Sequence, residues 1–462
     1  MKLGFIEGAN GVTGSRHVIQ VGEHAVLRDC GLVQGRRKEA EVLNRNLGFD
    51  PGRLDAVVLS HAHIDHCGNL PSLTKAGYQG PIHATTATCD ITKVMLKDAA
   101  HIQEQDAAYL NQKTSRKGLP EVEPLYTAAD ADVVNKLFVP HDYHQRIELA
   151  PGIVLEDYEA GHVLGSSLGR FELSAAGHTV TVGYAVDLGR RDLPLIRDPE
   201  LMTGLDVLVM ESTYGNRLHD DAREAPEQLR SVCAATLERG GKVLIPSFAL
   251  ERAQELLFHI SSLMIQGKLP KVPVYLDSPM AAEISRVFDQ SHDYMDEGFV
   301  EVQGEMICLL CPPWIQLSAS VKQSKAVTAS DEPCIVIAGS GMCEHGRIRH
   351  HLKHGIGNER NSIVLVGYQA AHTLGRRLEE HDPVVTIFGD EFSVKAEVTK
   401  LDAFSAHADR RDLLACVRAS GASKVYLVHG EQDSREALAE AIQAEGLAEV
   451  VLPSRGEWYD LV

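Results

Sequence analysis

The apolar run Ala56-Val57-Val58-Leu59-Ser60 is the kind of stretch that forms a buried strand, and it leads straight into His61-Ala62-His63-Ile64-Asp65-His66. Side chains two residues apart at a strand end project to the same side, so His61 and His63 face one way. Asp65 and His66 fall at the turn into a helix starting near Gly68-Asn69-Leu70-Pro71 and face a neighbouring position. One short segment thus offers two ligands to each of two adjacent metal ions. Imidazole and carboxylate suit Zn2+, with Mn2+ or Fe2+ also compatible. Four ligand-type side chains within six residues at a strand end argue against a merely His-rich surface loop. The fold must then bring distant segments to this strand end to complete the ligand sets.

Candidates for those ligands stand in similar settings. His162 follows the strand-like LEDYEAG, Asp187 follows TVGYAV, and His429 follows KVYLV. Taken singly, each reads as a loop histidine or a turn aspartate. Their shared place at the C-terminal ends of strands, where active sites of α/β folds gather, favours the functional reading.

The first 200 residues or so alternate short strands with Gly, Pro and Asp turns, including the hairpin RFELSAAGHTVTVGYAVD with its turn at Ala175-Ala176-Gly177-His178. One long helical pattern interrupts them, from Ala87 to Gln112. From about Leu205 apolar strands (LDVLVM, KVLIPS, PVYLDS, CIVIAG, NSIVLVGY) alternate with helical segments, the signature of a parallel sheet with crossover helices. After about Pro383 the strand-rich texture returns. The simplest organisation is one mixed α/β domain, residues 1–205 and 383–462, split by an inserted α/β domain at 206–382.

Composition narrows the class. Of 462 residues, 44% are apolar and 24% charged, ordinary for a soluble globular chain, which at this length needs no disulfide staples. No apolar run approaches the ~20 residues of a membrane helix, and MKLGFIEGANGVTG lacks the pattern of a secretory signal, so a cytoplasmic protein without membrane contact is expected. The 45 Lys and Arg against 64 Asp and Glu leave a formal charge of −19, which argues against a broad basic surface for nucleic acid. A polyanionic partner would need local positive charge. The nine cysteines suggest no disulfide framework, and the lone Cys308-Leu-Leu-Cys311 pair reads first as buried thiols.

At this point the chain resembles the metallo-β-lactamase superfamily and, within it, the β-CASP nucleases. HAHIDH matches the HxHxDH motif, and Asp29 in RDCGL, His162 and Asp187 match the other superfamily motifs in order. Glu211 in MESTYG, His407 in AFSAHAD and His429 in VHGE match the three marks of the β-CASP branch. The resemblance runs from GANGVTGSRH to VHGEQ and is nearest to bacterial and archaeal relatives of the cleavage-and-polyadenylation endonuclease subunit. It implies an αββα sandwich of the metallo-β-lactamase type interrupted by a parallel-sheet α/β β-CASP domain. His61, His63 and His162 would hold one Zn2+, Asp65, His66 and His429 a second, and Asp187 would bridge them, with Mn2+ as a substitute. Asp29 would fix a ligand imidazole from behind. One departure stands out: Tyr184-Ala185-Val186 precedes Asp187 where relatives carry a small Ser-Gly pair, so Val186 is expected to crowd the bridging position.

The chemistry implied is hydrolysis of phosphodiester bonds in single-stranded RNA, mainly internal, through a hydroxide held between the two metals, leaving a 5′-phosphate and a 3′-hydroxyl. Asp65, His407 and Glu211 form the catalytic set, with His407 as general acid and Glu211 hydrogen-bonded to it. His at position 429 favours RNA over DNA, since the DNA-repair branch carries an apolar residue there. The chain stops about thirty residues after His429, so it would lack the C-terminal domain of the ribonuclease J type, which favours internal cutting. Backbone amides at Ser247 and at a helix start near Ser340-Gly341 would cradle phosphates in a cleft beneath the insert. Ser166 and Ser167, Ser405, and the basic groups Arg347, Arg349, His350, His351, Lys353, Arg376 and Arg377 are further candidates, whereas Lys113, Arg116 and Lys117 read as solvent contacts. Relatives are often homodimers. Two other classes fit the metals alone: a small-molecule thioesterase or lactamase, which needs neither Glu211 and His407 nor a large insert, and a non-catalytic scaffold, whose kind typically loses ligands that are all present here.

Overall fold

Ser167–Ala175, whose middle alternates buried and half-buried side chains, pairs with His178–Ala185 as an antiparallel hairpin, closed at Ala176 (φ 50°) and Gly177 (φ 80°). Two central residues with positive φ suit the twist of a two-residue turn. The structure, a computed structural model, describes the chain except residues 36, 115–120, 297–298, 303–304, 309, 319, 368, 370–371 and 462; Arg116 and Lys117 lie outside the described residues.

The chain divides into two compact units. The first comprises 1–191, 198–218 and 407–462. It is built on two seven-stranded sheets. In one, Lys2–Glu7, Arg16–Val21, His24–Arg28, Ala56–Val58, Ile82–Thr85 and Phe138–His141 lie side by side, with Glu457–Asp460 at the edge beside Lys2–Glu7. The other runs Glu449–Val451, Lys424–Val428, Val207–Glu211, His178–Ala185, Ser167–Ala175, Ile153–Glu159, Arg146–Ala150. Leu3, Phe5, Ile19 and Val26 of the first sheet meet Leu155, Phe171, Val182 and Tyr426 of the second in one buried core. Helices cover both outer faces: Leu70–Lys75, Ala128–Asn135 and Thr86–Thr114 pack on the first, Arg410–Ser420 and Gln432–Ala444 on the second. This is the expected αββα sandwich, and its long helix exceeds the sequence-based span of 87–112 by a residue or two at each end.

The second unit comprises 192–197 and 219–406. Its six-stranded sheet is parallel throughout, ordered Ile315–Leu317, Val274–Leu276, Ile335–Ala338, Val243–Pro246, Ser362–Leu365, Glu397–Lys400. These units differ from the division at 205/206 and 382/383. Val207–Glu211 pairs in parallel with both His178–Ala185 and Lys424–Val428, which keeps it in the sandwich. At the other end, Glu397–Lys400 pairs with Ser362–Leu365 and stays with the parallel sheet. A buried apolar strand looks alike in either sheet, so texture alone misplaced both boundaries. Among the described residues, no helix is long and apolar enough to cross a membrane.

Candidate metal centre

Ala56–Val58 is a fully buried strand with neighbours on both sides, and Leu59–His63 leave its C-terminal end before the one-turn helix Ile64–Cys67. The turn is tight because Gly31 packs against it: a Cβ on Gly31 would lie 1.5 Å from the Asp65 carbonyl oxygen. Asp29, Asp187 and His429 likewise stand just past strand ends, and all three adopt left-handed backbone conformations (φ 60°, 58° and 48°). Such strain in non-glycine residues persists only where surrounding contacts enforce it, and it concentrates at functional sites. The amide of His429 donates to the Gly8 carbonyl, and the Thr213 hydroxyl donates to the His429 carbonyl, which accounts for the enforcement there.

These turns bring seven side chains together. His61, His63, His162 and Asp187 form one group of converging ligand atoms, and Asp65, His66 and His429 form another. His63 Nδ1 lies 3.0 Å from His61 Nε2 and 3.2 Å from His162 Nε2. Asp187 Oδ2 is 3.3 Å from His61 Nε2, 3.5 Å from His162 Nε2 and 3.4 Å from His66 Nε2, so this one carboxylate touches both groups. Its other oxygen is 3.1 Å from His429 Nδ1. Asp65 Oδ2 lies 3.9 Å from His66 Nε2 and 3.5 Å from His429 Nε2. Val186 does not crowd the bridging position: its side chain turns into the core between the sheets, while Asp187 turns out to the ligands.

The donor set fits a pair of cations. Burial pushes the His63 imidazole down to about 3 and drives His162 well below its ordinary range, so both stay neutral with a lone pair to offer. His66 Nε2, His162 Nδ1, His429 Nε2 and Asp187 Oδ1 are buried without a hydrogen-bond partner, a costly state that cations would relieve for the atoms facing the centre. Burial alone would raise the Asp187 carboxyl, but His429 and His66 beside it hold it well below the carboxylate range.

Behind the ligands runs a hydrogen-bond relay. Ser60 donates its amide (2.7 Å) and its hydroxyl (2.8 Å) to the two Asp29 oxygens. Having given its proton away, the hydroxyl accepts from His61 Nδ1 at 3.0 Å. His66 Nδ1 donates to Asp29 at 2.8 Å. Both imidazoles are thereby left with Nε2 as the free lone pair, facing Asp187. Sequence reasoning overlooked Ser60 and Thr213, although each adjoins a motif already singled out. It also missed a buried network beneath: Asp157 lies 2.8 Å from His141 Nε2 and 3.6 Å from Arg28, whose guanidinium donates to the Ser167 carbonyl at 2.7 Å.

Glu211, the last residue of its strand, is fully buried and accepts from the Leu188 amide at 2.7 Å. Both its oxygens lie 3.1 Å from His407 Nδ1. Gly189 pairs with His407 through the backbone, and the Ala408 amide donates to Leu188, so the loop after Asp187 sets the histidine's place. The His407 ring sits 4.5 Å from that of His162. Burial alone would lower its pKa, but the Glu211 carboxylate beside it raises it to about 9.

The phosphate-cradle candidates have other partners. The Ser247 amide donates to Ala338 and its hydroxyl to the Phe248 carbonyl; the Ser340 amide donates to His345. The helix expected at Ser340-Gly341 starts at Ile348, and Gly341 is a glycine because the Phe248 ring lies 2.8 Å from where its Cβ would be. Arg347 Nη1 donates to Asp277 and to the Ser318 carbonyl, and His351 Nε2 donates to Asp277 at 2.6 Å. Lys353 pairs with Asp390, Arg377 with Asp382, Arg376 donates to the Gln369 carbonyl, and Arg349 and His350 lie against Phe388. Ser166 accepts from the His162 and Val163 amides, and Ser167 pairs with Ser60, both buried. Ser405 follows the short turn Asp402–Phe404 and is half-buried, and Lys113 lies in the last turn of the long helix, exposed.

Comparison with known proteins agrees with this architecture. Residues 11–189 match the metallo-beta-lactamase superfamily, 253–378 the Beta-Casp domain, and 391–453 the Zn-dependent metallo-hydrolase RNA specificity domain. The chain is 37% identical over 461 residues to ribonuclease TTHA0252 of Thermus thermophilus, covering 99% of both chains. It is 32% identical over 449 residues to transcription termination factor FttA of Methanocaldococcus jannaschii, covering 94% of this chain and 67% of that one. A crystal structure of a protein of unknown function from Enterococcus faecalis V583 superposes over 99% of each chain, with a TM-score of 0.54 and 14% identity, a likeness of fold alone. The ligand motifs, the sandwich with its interrupting parallel-sheet unit and these matches together place the chain in the metallo-β-lactamase superfamily, as a member of its β-CASP branch.

Proposed function

We propose that the protein is a zinc-dependent ribonuclease that cuts single-stranded RNA, mainly at internal bonds, and leaves a 5′-phosphate and a 3′-hydroxyl. The observation that carries this reading is the pairing of two metal-ligand groups through Asp187 with a separate acid–base pair, His407 and Glu211, beside His162. A thioesterase or lactamase needs no such second pair. The ribonuclease activity named for the Thermus relative, at 37% identity over the full chain, supports RNA as the substrate.

His61, His63, His162 and Asp187 would hold one Zn2+, and Asp65, His66, His429 and Asp187 the other. When bound, such a pair supplies an activated water at neutral pH and neutralises charge developing on a phosphate. The protein's own residues do the rest. The relay of Asp29 and Ser60 keeps His61 and His66 in the tautomer that offers Nε2. Glu211 holds His407 protonated at Nδ1 and orients its ring, so that Nε2 can deliver a proton to the leaving oxygen. With a formal charge of −19 and most candidate basic groups paired internally, attraction for the polyanion falls chiefly to the cations, which makes binding as well as catalysis depend on them.

The test is incubation of the purified protein with an end-labelled single-stranded RNA, with and without a chelator. Cleavage that disappears with the chelator and returns with Zn2+ or Mn2+ supports the reading, and product ends read by ligation and phosphatase sensitivity check the chemistry. Intact RNA under full metal loading overturns it.

A further inference from the structure

A third group of ligand atoms lies in the second unit, unrelated to the centre described above. The helix Pro279–Gln290 carries Asp289 in its last turn. The chain then forms the hairpin Phe299–Val302 with Glu305–Cys308 and returns, so that Cys308, the last residue of its strand, and Cys311 stand by the helix end. Ligand atoms of Asp289, Cys308 and Cys311 all lie within 4.8 Å of one another, and Cys308 Sγ is 3.9 Å from Asp289 Oδ1. The reading of this CxxC pair as buried thiols is corrected: Cys308 is half-buried, Cys311 exposed, and both are free.

We propose that Cys308, Cys311 and Asp289 bind a thiophilic divalent cation, Zn2+ by the chemistry of the donors, with solvent completing the shell. Two cysteines separated by two residues present their sulfurs to one ion, the spacing used by half of a zinc knuckle. Thiolates select zinc over the hard cations, and ligation releases the two thiol protons to solvent. Asp289 distinguishes this group from a simple redox dithiol, which has no use for a carboxylate. An acidic residue in a helix's last turn opposes the helix dipole, and among the described residues no basic side chain pairs with Asp289. A cation there answers both features and clips the hairpin to the helix end.

Titration of the reduced, metal-stripped full-length protein with Co2+ tests the proposal, because the centre in the first unit contains no thiolate. Expected is a sulfur-to-cobalt charge-transfer band that saturates at one equivalent beyond those taken by the imidazole–carboxylate centre. The band is expected to vanish in Cys308→Ser and in Cys311→Ser, and Asp289→Asn is expected to weaken Co2+ at this site roughly tenfold or more. RNA cleavage by the three variants is expected to match the parent. No charge-transfer band in the reduced parent protein, or a band that survives both cysteine substitutions, overturns the proposal. A band lost with the cysteines but indifferent to Asp289→Asn removes the carboxylate from the site and overturns the three-ligand assignment.

Discussion

His66 Nδ1 donates to Asp29 across 2.8 Å in a place where neither side chain meets solvent. An ionised carboxylate only accepts, so the proton on Nδ1 is fixed and Nε2 is left as lone pair. Burial alone would raise the Asp29 carboxyl, but His66 beside it holds it below its ordinary value. Asp29→Asn turns one acceptor into a donor and sets an amide against Nδ1–H or the Ser60 hydroxyl. Metal affinity is expected to fall by about 10- to 100-fold. Isothermal titration of the stripped protein with Zn2+ measures it, and unchanged affinity would dismiss the relay.

His407 and Glu211 touch the ligand shell without belonging to the two ligand groups joined by Asp187. His407→Ala is expected to lower kcat on single-stranded RNA by about 10²- to 10⁴-fold with metal content unchanged. Glu211→Gln keeps an acceptor for the Leu188 amide and removes the charge, so a smaller loss in the same direction is expected. Mass-spectrometric metal analysis beside single-turnover kinetics separates this outcome from loss of the cations.

The side chains that would hold the cations come from both sheets: His61, His63, Asp65 and His66 follow a strand of one, while His162, Asp187 and His429 follow strands of the other. Cations held there would tie the sheets together, and a ligand that binds only the folded state adds about 4 kcal/mol at a thousandfold excess over Kd. Chelation is accordingly expected to lower the unfolding temperature of the first unit. Gly31→Ala is expected to destabilise that unit by about 3 kcal/mol even with metal present, because its Cβ meets backbone at 1.5 Å. Calorimetry with and without chelator reports both.

In the second unit, the buried Asp277 accepts from His351, Ser324 and Arg347. Burial alone would raise its carboxyl, but these donors hold it below its ordinary value. A folded pKa below the unfolded one, about 3.9, means the unfolded chain binds the proton more readily. The stabilisation is therefore complete above pH ~4 and is lost as the pH falls through the lower folded value. Asp277→Asn is expected to cost about 3 kcal/mol at neutral pH and to flatten this acid limb. Urea unfolding at a series of pH values reads out both.

Much of this was legible from residue order. HAHIDH after a buried strand pointed to side chains in both converging groups, because ligand-type residues so dense at a strand end have few other uses. His162, Asp187 and His429 were legible from their shared placement. What could not be read was whatever depends on partners remote in sequence. The amides at Ser247 and Ser340 looked free until Ala338 and His345 took them. Val186 looked obstructive because the sequence does not tell which way a residue turns at a strand end. Arg28, Asp157 and His141 come from three separate strands or strand ends and form no motif at all.

The last ligand, His429, follows a strand that enters its sheet beside Val207–Glu211, more than two hundred residues downstream along the chain. During synthesis, therefore, one ligand group is already encoded in full while its neighbour still lacks an imidazole. On the proposed function, a nascent polypeptide stays unable to complete the second ligand group, and so to cut RNA, until the segment carrying His429 has been made.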